Sequence, residues 1–165
     1  MEDVANEIDK LVEYCRNKEV ITERDIEAIA PKNLETDIFK LVDAVGGKDF
    51  STALRLLHDM RIAGEPALKV LFMVVRQFRL LMQVAYLKDM GYSCKGIASR
   101  LGLQPFLVSS LLKQSSNFSL KGLKEALVAC SRWDVEIKRG RIDPWLALEL
   151  FIAELGKKSN KRSVL

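Results

Sequence analysis

The chain has 165 residues, with 26 Lys and Arg against 22 Asp and Glu, a formal net charge of +4, and 48% apolar residues. That is ample for the core of one conventional domain, or of one domain plus a piece of another, and it reads as a soluble globular chain. The acidic, amphipathic start "MEDVANEIDK" is unlike a secretory signal, and Lys69, Arg76, Arg79 and Lys88 interrupt the most apolar stretch, so a packed helix rather than a membrane span is expected there.

Apolar residues recur at intervals of three and four, and no useful stretch alternates with period two, so the expected fold class is all-α. Val4, Ile8, Leu11, Val12 and Cys15 predict a first amphipathic helix. "ITERDIEAIAP" predicts a second, with Thr22 as N-cap three residues before Asp25 and Pro31 as its stop. A third covers Leu34 to Val45 and ends at Gly46-Gly47. Asp49 or Ser51 starts a fourth, with Phe50, Leu54, Leu57 and Ile62 at helical spacing before Gly64. Pro66, near N1, opens a long central helix that Gly91 ends. On the helical wheel Lys69, Arg76, Arg79, Gln83 and Tyr86 share one sector of an otherwise apolar circumference, as in the core helix of a bundle exposed along one stripe.

Two short helices, Ser93 to Leu101 and Pro105 to Lys113, lie around Gly102. Ser119 caps the next helix, and Asp143 with Pro144 at N1 begins the last, through Leu155 and Gly156. The prediction is a bundle of nine helices joined by short turns.

The charge is segregated. Residues 1–30 hold nine acids and four bases, whereas Pro66 to Arg132 holds ten bases against Asp89 and Glu125 alone. Such a field attracts nucleic acid or an acidic protein surface, and the plainer reading is a set of solvated helix faces. The composition break near Pro31 to Thr36 is the candidate domain boundary. Cys15, Cys94 and Cys130 are odd in number and form no CxxC, so they are read as reduced core or near-surface thiols, with a cytoplasmic location expected.

Chemistry-bearing motifs are sparse. His58 is the sole histidine, with no cysteine at metal-ligand spacing, and no phosphate loop, nucleophile elbow or HExxH pair occurs. Two features stand out. "CKGIASRLGLQPFLVSSLLKQ" meets the offsets of a helix-turn-helix through Ala98, Gly102, Val108 and Leu111, although its second helix opens on Gln104, Pro105 and Phe106, which suits a protein contact better than a DNA groove. Asp134 falls within the apolar face of its helix, which predicts either a buried ion pair with Arg76 or Arg79 or a helix turned to place it at a solvent edge.

The order of "NEIDKLVEYC", "ITERDIEAIAP", "DIFKLVDAVGGKDFSTALRLLHDM", "GEPALKVLFMVVRQFRLLMQVAYLKDMGYS", "IASRLGLQPFLVSSLLKQSSNFS" and "RWDVEIKRGRIDPWLALELFI" resembles the C-terminal half of the delta subunit of the bacterial DNA polymerase III clamp loader, from about Asn6 to Leu155. In that family a degenerate ATPase-like domain comes first, then a small helical lid domain, then a helical collar that joins the ring of loader subunits. The resemblance implies that residues 1–33 are a remnant of the lid, 34–156 the collar, and 157–165 a basic disordered tail.

It implies gamma/tau and delta-prime as partners, contact with DNA through the assembled complex, and contact with the sliding clamp only through the first domain, which this piece lacks. No membrane, cofactor, metal or catalytic residue is implied, and no intrinsic activity for this piece; the parent holoenzyme is a DNA-directed DNA polymerase, a nucleotidyltransferase. The residues expected at the subunit interface are Arg76, Arg79, Gln83, Tyr86 and Phe106, since Arg and aromatic side chains are favoured anchors. The alternative function is a DNA-binding helix-turn-helix protein.

Overall fold

The computed structural model describes residues 12–13 and 33–160. Val12 and Glu13 are helical and exposed; the rest of the first two expected helices, with Thr22, Asp25 and Pro31, lies outside the described residues. The chain divides into two units, Met1–Asn33 and Leu34–Leu165. Among its described residues the second holds seven helices: α1 (Leu34–Gly46), α2 (Phe50–Ile62), α3 (Ala67–Asp89), α4 (Cys94–Leu101), α5 (Pro105–Ser115), α6 (Leu120–Lys138) and α7 (Pro144–Asn160). No strand occurs among the described residues, and the fold class is all-α.

Local chemistry accounts for most of the helix starts. Asp49 caps α2 by accepting from the Thr52 N–H at 3.1 Å. Ser93 accepts from Gly96 N–H at 3.2 Å, Ser119 from Gly122 N–H at 3.0 Å, and Asp143 from the N–H groups of Trp145 and Leu146, both at 3.0 Å. Each satisfies a donor that the first turn leaves without an intrahelical partner. Pro66 stands one residue earlier than expected, as the N-cap of α3, with φ −66° and extended ψ.

α3 is the axle of the bundle, packed against α1, α4, α5, α6 and α7. By length and composition alone it could cross a membrane. Its inner face instead carries Val70, Leu71, Val74, Phe78, Leu81 and Val84, all buried in the common core. Each such side chain contributes about 1.5–3 kcal/mol on removal from water. Phe78 lies at the centre, edge-on to Phe118 at 5.8 Å and to Phe151 of α7 at 6.0 Å between ring centroids.

Two local expectations are corrected, and one is extended. Gly46 ends α1 as expected, and it must also be small, because a Cβ there would come within 2.7 Å of the Phe118 ring and 2.9 Å of the Asn117 Cβ. It is small so that the α5–α6 turn can close over the end of α1, and the left-handed turn residue is Lys48, with φ 64°. The last helix, expected to close at Gly156, continues through Asn160.

The second correction concerns Asp134 and Arg76, which form no buried pair. Asp134 receives Lys138 Nζ at 2.6 Å on its own helix, with 36% of its side chain exposed, while Arg76 Nη1 reaches Glu35 Oε1 of α1 at 3.0 Å. The face of α6 that enters the core is set by Leu123, Ala126, Ala129 and Cys130. The small alanines bring α6 close to α3 and rotate Asp134 to the edge.

Candidate subunit interface

The long helix α3 is buried on one side only. Along the other run Arg76, Arg79, Gln83 and Tyr86, all exposed, so the structure brings four of the expected interface residues onto one face. Three more lie on that face: Leu68, Phe72 and Met90, with Phe72 68% and Met90 56% exposed. Sequence reasoning missed them because apolar side chains were assigned to the core. Their wheel positions fall within the sector of the arginines, and that was the available signal.

The two arginines differ. Arg76 is tied to Glu35, whereas Arg79 has neither an ion pair nor a side-chain hydrogen bond among the described residues. At its N-terminal end α3 is flanked by the pair Lys69 Nζ to Glu65 Oε2 at 3.0 Å. The face is thus apolar at both ends and cationic in the middle.

Phe106, the fifth expected residue, belongs to α5 and is 74% exposed. The α4 to α5 unit has the helix-turn-helix form: Ala98, Val108 and Leu111 are buried, and Gly102 supplies the left-handed turn at φ 65°, where a side chain would be strained. The outer face of α5, with its N-cap, presents Gln104, Phe106, Ser109, Ser110 and Lys113, a single formal charge. Arg100 is drawn away over the Tyr92 ring at 4.3 Å.

Elsewhere the side chains offer little reactivity. A cleft beside α6 and α7 is lined by Lys121, Lys124, Glu125, Val128, Arg132 and Glu154, where Arg132 is paired with Glu154 and Lys121 stands 3.9 Å from Glu125. Burial pushes the Cys130 thiol up to about 12, far from a reactive thiolate. His58 is exposed on α2, and among the described residues no group of His, Cys, Asp and Glu is arranged to hold a metal ion.

Residues 35–155 match the family model of the DNA polymerase III delta subunit, C-terminal domain. The chain belongs to this delta family. The DNA polymerase III subunit delta of Bacillus subtilis (strain 168) is 32% identical over 158 residues, which cover 96% of this chain and 46% of that protein. A solved structure of the Bacillus subtilis DNA clamp loader delta protein superimposes with a TM-score of 0.82 at 31% identity, over 95% of this chain and 46% of the other. The chain therefore spans about half the length of these delta relatives. The match to the delta C-terminal domain takes in all of the α3 face, Phe106 and Asp134.

Proposed function

We propose that this chain serves DNA replication as the C-terminal part of a clamp loader delta subunit, and that its task is assembly with the other loader subunits through a helical collar. The observation that carries this reading is the delta C-terminal family match across residues 35–155, together with an exposed aromatic and arginine-bearing face on the central helix. Interfaces are enriched in such residues at their anchoring positions.

On this reading residues 34–156 are the collar and residues 1–33 the end of a lid domain. Gamma/tau and delta-prime are the partners, and DNA and the sliding clamp are engaged by the assembled loader in the cytoplasm. The chain contributes no chemistry of its own; polymerisation belongs to the holoenzyme. Arg76, Arg79, Gln83, Tyr86 and Phe106 are the proposed contact residues.

The test is to mix the purified chain with gamma/tau and delta-prime from the same source and to measure complex mass by size exclusion with light scattering. A stable multi-subunit complex supports assembly. Absence of any complex, with tight and strongly salt-dependent binding to duplex DNA, overturns it, since contacts to phosphates release counterions and weaken with salt.

A further inference from the structure

The outer face of α3 has the spacing of a helix-packing seam. Phe72, Arg79 and Tyr86 recur every seven residues; Leu68, Val75 and Met82 precede them by four, and Arg76, Gln83 and Met90 follow them by four. Leu68, Phe72, Tyr86 and Met90 are each more than half exposed, while Val75 and Met82 are half-buried along the inner border. A seven-residue repeat keeps one edge of a helix toward a second helix over several turns. From Phe72 to Tyr86 the seam is about 21 Å long at the α-helical rise.

Its middle position is the informative one. Arg79 stands midway between Phe72 and Tyr86 and has no partner among the described residues. Covered by another helix, an uncompensated guanidinium costs more than the neighbouring apolar contacts return, unless a carboxylate faces it. A single charged residue in such a seam therefore selects both partner and register. A second copy of the chain is the wrong partner: aligning the apolar ends in either direction sets Arg79 against Arg79.

We infer that the α3 seam receives a helix from a different protein chain, one that presents two apolar patches about 21 Å apart with an aspartate or glutamate midway to pair with Arg79. Arg79 at the same time bars self-association through this face. The inference rests on the assembly reading and adds to it the chemistry of the docking partner.

The experiment uses the full 165-residue chain as wild type, Arg79→Glu, Arg79→Lys, Arg79→Leu and Phe72→Asp, titrated with gamma/tau and delta-prime in sedimentation velocity. Arg79→Glu and Phe72→Asp are expected to weaken the complex by about thirtyfold or more, with unchanged unfolding midpoints because both side chains are exposed, and Arg79→Lys to retain most of the affinity. Arg79→Leu alone is expected to sediment as a dimer, and the wild type alone as a monomer. Wild-type binding that neither Arg79→Glu nor Phe72→Asp alters overturns this inference and leaves the assembly reading standing. No binding by the wild type overturns both, and an Arg79→Leu chain that stays monomeric overturns the role given to Arg79 in preventing self-association.

Discussion

Gln77 of α3 donates from Nε2 to Oε1 of Gln114 at 2.6 Å, and Gln114, 2% exposed, passes its own Nε2 to the Phe39 carbonyl of α1 at 2.9 Å. One buried amide thus ties α5 to both α3 and α1. Polar groups in a core are tolerated only when paired, and a paired set fixes how elements seat against one another.

The lock should be non-additive. Gln77→Leu strands the Gln114 oxygen in the core, Gln114→Leu strands the Gln77 amide, and each is expected to cost about 1–3 kcal/mol. Replacing both by leucine removes the demand along with the supply. The double variant should therefore lose less than the sum of the two singles, which urea denaturation in a double-mutant cycle measures.

Gly46→Ala should run against helix propensity. In an open helix position alanine is worth up to about 1 kcal/mol over glycine. Here the new methyl meets Phe118, which is itself seated on Phe78, so overpacking is expected to destabilise the chain by about 1–3 kcal/mol. Gly47→Ala, whose nearest neighbour would be the Asp43 carbonyl at an ordinary 3.5 Å, is the control and should change the thermal midpoint far less.

Asp49 should confer a pH-dependent contribution. Hydrogen bonds from the Thr52 side chain and N–H and from the Ser51 hydroxyl hold its carboxyl below the usual 3.8. The folded state thus favours the carboxylate, and the stabilisation is present above the ordinary carboxylate pKa and lost as pH falls through the lower, folded value. Thermal melts of wild type and Asp49→Ala should differ at neutral pH and converge in acid.

Asp134→Ala should be nearly silent. Its partner is an exposed lysine one turn away, and such pairs are worth about 0.3–0.5 kcal/mol. A loss of about 3–5 kcal/mol in chemical denaturation, the size expected when one member of a buried pair is removed, would contradict the observed geometry.

Local chemistry made the helices legible. Asp49, Ser93, Ser119 and Asp143 announce helix starts because an N-cap is satisfied within three residues, and the three-to-four spacing of apolar residues needs no distant partner to be recognised. The arginines and Tyr86 of α3 were legible as a stripe for the same reason. Phe72, Leu68 and Met90 were not, because hydrophobicity makes burial favourable without ensuring that another element arrives to cover it.

By itself, then, the sequence determined the all-α class, the starts of most helices and the family, since these depend on neighbours along the chain or on the order of whole segments. Only the tertiary structure decided the rotation of α6 that carries Asp134 to its edge, the use of Gly46 as a seat for Phe118, and the amide tie between Gln77 and Gln114. Each of these depends on the distance between elements far apart in the chain, and that distance is set by the volumes of all the side chains packed between them.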